Sequence, residues 1–134
     1  MPASKQSKDL MKIGDLARRA GVSHRTIHYY ERLGLLRPIE REGVGYRYFN
    51  EEAVTRLEKV AALKRLGLSL DEIASVIDLY FEDATGIRGK RRVLDILRGQ
   101  LARTDQQILE LKGFRAEVEE NIARVEDLIR KARG

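Results

Sequence analysis

From Leu94 to Ile129 apolar residues recur at alternating steps of three and four, a seven-residue pattern that confines this stretch to one long helix in need of a partner. One series is Leu94, Leu101, Ile108, Arg115, Ile122 and Ile129; the other is Leu97, Thr104, Leu111, Val118 and Val125. Nine of these eleven positions are apolar, so the seam is sustained rather than a short amphipathic face. As a single helix it would run about 54 Å at ~1.5 Å per residue. Such a rod has no core of its own. A second copy of the chain is the simplest cover for Leu94, Leu97, Leu101, Ile108, Leu111, Val118, Ile122, Val125 and Ile129. Gly99 and Gly113 each cost about 1 kcal/mol relative to Ala inside a helix. Arg115 interrupts the seam where Phe114 offers itself instead, so a kink or break near Gly113, with a separate short helix after it, stands open beside one continuous helix.

The rest of the chain has room for one small domain, since the whole is 134 residues long. Charged residues make up 35% and aromatics 6%, a balance that favours a mainly α protein over a β-sandwich. No cysteine is present, which removes disulfides, thiolate metal sites and cysteine nucleophiles together. No apolar run approaches the ~20 residues that cross a bilayer, and the opening MPASKQSKDL lacks the apolar core of a signal peptide. The expectation is a cytoplasmic protein with no membrane partner. Charge is unevenly placed. Lys12 to Leu68 carries 12 Lys and Arg against 7 acids; Ser69 to Ile87 carries five acids and no base; Arg88 to the end carries 12 bases against 8 acids. A basic N-terminal half points to a polyanion partner.

The first ten residues are polar and without pattern, and read as a mobile tail. A helix is expected from Lys12, with Ile13, Leu16, Ala17 and Ala20 on one face and Gly21 at its end. Ser23 then caps a second helix from His24 to about Leu33, with Ile27 and Tyr30 inward. Two short helices joined by a glycine turn describe a helix-turn-helix. Leu35–Ile39 and Tyr46–Phe49 are extended runs flanking Glu40–Gly45, whose glycines suit a hairpin; a hairpin placed there is a wing. Asn50 caps a third helix whose stripe is Val54, Leu57, Val60, Ala61, Leu63 and Leu66. Ser69-Leu70-Asp71-Glu72 is a capping box opening a fourth, with Ile73, Val76, Ile77 and Tyr80 inward. Residues 81–91, with two glycines, read as a connector.

These blocks resemble the MerR family of bacterial transcription regulators. The resemblance is carried by Ile13-Gly14-Asp15-Leu16-Ala17, Gly21-Val22-Ser23, Thr26-Ile27-His28-Tyr29-Tyr30-Glu31, Gly34-Leu35-Leu36-Arg37-Pro38, Gly45-Tyr46-Arg47 and Leu66-Gly67-Leu68-Ser69-Leu70-Asp71-Glu72-Ile73. Ile77-Asp78-Leu79-Tyr80 and the following coil are similar to the subgroup regulating branched-chain amino-acid or fatty-acid breakdown. The division this implies is a tail over 1–10, a winged helix-turn-helix over 11–80, a connector over 81–91 and an antiparallel coiled-coil dimerisation helix over 92–134. The resemblance also implies a homodimer on a palindromic promoter operator, whose binding bends and untwists DNA that RNA polymerase then uses.

Carried onto this chain, the second helix presents Ser23, His24, Arg25, Thr26, His28 and Tyr29 to DNA. Arg25 is the candidate base reader, because its planar fork matches guanine O6 and N7. Tyr29, Tyr46 and Arg47 would hold phosphates, with Lys64 and Arg65 reaching the flanking backbone. Two positions depart from the pattern: His28 replaces the usual arginine, exchanging a planar guanidinium fork for an imidazole, and Phe49 replaces a tyrosine. His24 and His28 stand at metal-ligand spacing, yet no third ligand is evident beyond Glu31 or Glu58, so no metal or other cofactor is expected. The competing reading is a module that packages DNA without sequence preference or binds protein through the same domain. An enzyme is disfavoured, since no nucleophile, acid–base pair or metal set emerges. A small-molecule effector, if one exists, would bind where coil and DNA-binding domain meet, and no separate ligand domain is expected after the coil.

Overall fold

A computed structural model describes residues 10–40 and 47–134. The expected tail and the wing turn, including Gly43, Gly45 and Tyr46, lie outside the described residues. The chain divides into two compact units, residues 1–93 and 94–134.

In the first unit, strand β1 (Met11–Lys12) leads directly into helix α1 (Ile13–Ala20), and α2 (His24–Arg32) follows. Strands β2 (Ile39–Glu40) and β3 (Arg47–Phe49) come next, then α3 (Glu51–Arg65) and α4 (Leu70–Val76). A 3-10 turn (Ile77–Phe81) ends this series, and α5 (Ile87–Arg133) begins beyond it. The three strands form an antiparallel sheet in the order β1-β3-β2, with Met11 opposite Phe49 and Ile39 opposite Tyr48. The sequence reading had Lys12 opening α1. Instead Met11 and Lys12 pair with the free edge of β3, and Met11 adds to the core.

The core is closed by Leu16, Ile27, Leu35, Leu36, Phe49, Val60, Leu63, Ile73, Val76 and Ile77, all with almost no exposed surface. The cap residues act as their types predict: Asn50 accepts from the Ala53 amide, and Ser69 and Glu72 form a complete capping box. Two members of the expected α3 stripe are corrected. Ala61 falls on the outer side of a 15-residue helix, and Leu66, the residue that ends it, is 53% exposed. Phe49 is fully buried.

One buried cation ties this unit together. Arg56 on α3 donates from Nε to the Leu35 carbonyl at 2.9 Å and from a terminal nitrogen to Asp78, and its guanidinium lies 5.0 Å from the Phe81 ring centroid. It thereby links α3, the segment before β2 and the 3-10 turn.

The connector expected over 81–91 is shorter, because α5 starts at Ile87. Asp83 Oδ1 accepts from the amides of Thr85 and Gly86 at 2.8 and 3.0 Å, and Thr85 Oγ1 accepts from the Ile87 amide at 3.1 Å. These bonds start the helix early. The two glycines that suggested a loop have other tasks. Gly86 adopts φ +62°, and a Cβ at Gly89 would run into the Tyr80 ring.

In the second unit α5 is helical throughout, including Gly99 and Gly113, so no separate short helix follows Gly113. Two glycines do not interrupt the amide ladder, and their cost of about 1 kcal/mol each is spread over a long, otherwise favourable run. No helix among the described residues is long and apolar enough to cross a membrane.

Candidate nucleic-acid interface

Helix α2 is placed by its two buried anchors, Ile27 and Tyr30, three residues apart on one face. Its start is fixed by Gly21, in the left-handed conformation that ends α1, and by Ser23, whose hydroxyl oxygen accepts from the Thr26 amide at 3.0 Å. Ser23 Oγ also donates to Thr26 Oγ1, so these two hydroxyls serve the helix start. With one face buried, the helix exposes His24, Arg25, His28 and Tyr29. Arg25 has no ion-pair partner among the described residues. Tyr29 lies beneath the guanidinium of Arg32, which is 5.7 Å from its ring centroid.

Beside this helix stands the base of the hairpin. Arg47 opens β3 and donates to Glu31 Oε2 on α2 at 2.8 Å. The other carboxylate oxygen, Oε1, is 3.8 Å from His28 Nδ1 and has no hydrogen-bond partner. Glu31 therefore brings together His28 and Arg47, which the sequence placed in one site by resemblance alone. Lys64 and Arg65 lie in the last turn of α3, exposed and without ion-pair partners among the described residues. No described contact joins them to α2. Arg19 on α1 pairs with Glu51 at the start of α3, which holds that carboxyl below its usual range and raises the guanidinium.

Among the described residues no group of three His, Cys, Asp or Glu could hold a metal ion. The arrangement is a helix with one face exposed, whose Arg25 has no ion-pair partner among the described residues, beside the Arg47 guanidinium on β3. That is the chemistry of a polyanion surface. Sequence reasoning considered Glu31 only as a metal ligand and passed over Arg56. The signal for Glu31 was its place one turn beyond His28 on the exposed helix.

Two family models match the chain. That of the MerR helix-turn-helix regulatory proteins covers residues 11–79, and that of the MerR DNA-binding region covers 54–121. The chain belongs to the MerR family of DNA-binding helix-turn-helix regulators. It is 38% identical to the HTH-type transcriptional regulator HmrR of Rhizobium leguminosarum bv. viciae over 81% of each chain. To nodulation protein NolA of Bradyrhizobium sp. (strain NC92) it is 37% identical over 72% of its length, a match that spans only 37% of NolA. Among solved structures it is similar to HiNmlR, a MerR family regulator lacking the sensor domain, bound to promoter DNA. There the TM-score is 0.51 and the identity 26%, over 78% of this chain and 77% of that one.

Proposed function

We propose that this MerR-family chain is a sequence-specific transcription regulator that binds a palindromic promoter operator as a homodimer and bends and untwists the DNA for RNA polymerase. The observation that carries the reading is α2: anchored by Ile27 and Tyr30, it exposes Arg25, which has no ion-pair partner among the described residues, with His24, His28 and Tyr29 beside Arg47. The likeness to HiNmlR, crystallised on promoter DNA, supports double-stranded DNA as the partner. In this reading Arg25 reads a base edge, while His28, Tyr29, Tyr46, Arg47, Lys64 and Arg65 hold phosphates and set register. Ser23 and Thr26 act by shaping the helix start.

The homodimer rests on α5, where Leu94, Leu101, Ile108, Leu111, Val118, Ile122, Val125 and Ile129 are exposed along the seam and Leu97 is half-buried. The subgroup tied to branched-chain amino-acid or fatty-acid breakdown draws no support from the matched relatives. Asp78, part of the stretch that suggested it, is engaged by Arg56.

Selection from a random duplex library, followed by competition with unrelated DNA, tests the reading. Enrichment of a symmetric sequence that resists competition is expected. Binding lost equally to any duplex would favour the packaging module instead.

A further inference from the structure

We propose that Glu31 is a positioning residue that aims Arg47 at a DNA phosphate, an inference that rests on the DNA-binding reading above. Its side chain is nine-tenths buried, at 10% exposure, yet among the described residues it takes no bond from a backbone amide or hydroxyl. One oxygen holds Arg47 at 2.8 Å, and the other faces His28 at 3.8 Å without a hydrogen-bond partner. Both neighbours are basic side chains on the candidate interface. A buried carboxylate satisfied this incompletely contributes little to stability, which argues for a task other than holding the fold.

The geometry supplies that task. Glu31 occupies one terminal nitrogen of Arg47, leaving the second terminal nitrogen and Nε for a planar pair of bonds to phosphate. The Arg47 side chain is 56% exposed while one end of it is held, so it is both anchored and within reach of a ligand. An anchored fork loses less side-chain freedom on binding than a loose one. The carboxylate thus joins recognition helix and hairpin into one preorganised phosphate clamp.

The sign of the effect separates this role from plain electrostatics. Removing a negative charge near DNA strengthens binding by simple attraction, whereas losing the clamp weakens it. Glu31→Met keeps the volume and removes the acceptor; Glu31→Gln keeps an acceptor oxygen. Affinity for the selected operator duplex is measured by fluorescence anisotropy across a salt series, with melting curves alongside. The wild type must first bind with a steep salt dependence; flat or absent binding would sink the DNA reading itself.

Given wild-type binding, Glu31→Met is expected to weaken affinity roughly tenfold. It should also lower the log–log salt slope by about 0.9, one phosphate contact. Arg47→Ala should do the same and the double variant no worse, while Glu31→Gln should recover most of the loss. An unchanged slope, tighter binding by Glu31→Met, or losses that multiply in the double variant would overturn the proposal. If Glu31→Met melts out, Glu31→Ala is read by the same criteria.

Discussion

Residues 11–93 and 94–134 treat their apolar side chains in opposite ways. In the first region Leu16, Ile27, Phe49, Leu63 and Ile73 come from five different elements and are sealed by one another. In the second, Leu101, Leu111, Ile122 and Val125 remain 54–66% exposed on one continuous helix. Polar bonding follows the same division. Arg56 reaches Leu35 and Asp78, more than twenty positions away along the chain. The ion pairs Arg115–Glu119, Arg130–Asp127 and Lys131–Asp127 join residues three or four apart. The first region finds its core within one chain; in the proposed reading the second presents half of an interface.

That contrast predicts its own largest failure. Leu111→Lys with Val118→Lys places two charges in the seam, and the chain should become monomeric in sedimentation while residues 11–93 keep their spectrum. Operator affinity should drop by about a hundredfold or more, because the second half-site no longer binds in the same event. A double variant that stayed dimeric, or bound as tightly, would show that the seam is not the interface.

The reciprocal test disturbs the closed region and spares the rod. Arg56→Met strips the buried Leu35 carbonyl of its donor, which should cost about 2 kcal/mol. Melting of the N-terminal region should move down by roughly 8 °C or more. Association through the rod should persist. An unmoved transition would mean that the carbonyl finds water and that Arg56 is not the pin its contacts describe.

Much of this division is legible in the sequence because it rests on short-range rules. The helix-turn-helix follows from Gly21, Ser23, Ile27 and Tyr30, each acting within a few residues of its own position. The rod follows from periodicity alone. What escaped was tertiary. The Met11–Lys12 strand exists because β3 has an edge to share, which the two residues do not announce. The early start of α5 depends on Asp83 and on a ring, Tyr80, seated against Gly89, so glycines that read as loop were packing residues. Glu31 was hidden for the same reason: its role requires Arg47, sixteen positions away, to arrive beside it. Resemblance supplied the family and the roles of Arg25 and Arg47; spacing could not.

A finer comparison lies within the interface, between a base reader and a phosphate holder. Arg25→Ala should remove about 1–3 kcal/mol of discrimination at one base-pair position, seen as relaxed preference there when operator variants are compared. Lys64→Ala should weaken all duplexes alike and lower the salt slope by about 0.9. Equal loss on every sequence for Arg25→Ala would move that residue among the phosphate holders.

The smallest effect lies at the start of α5, just before the closed region gives way to the rod. The Asp83 carboxyl is held below its ordinary value of 3.8, first by the Thr85 hydroxyl and then by the amides of Thr85 and Gly86. A carboxyl whose folded value is depressed adds stability that is present above the ordinary value and is lost as pH falls through the folded one. Amide protection over residues 85–88, corrected for intrinsic exchange, should therefore be high at neutral pH and fall below about pH 4. In Asp83→Asn the same amides should exchange faster at neutral pH and respond less to acid. Exchange farther along the rod should not change, since among the described residues the hydrogen bonds of Asp83 reach no farther than Gly86. An acid response identical in Asp83→Asn and wild type would assign the early helix start to Tyr80 packing on Gly89 instead of to the cap.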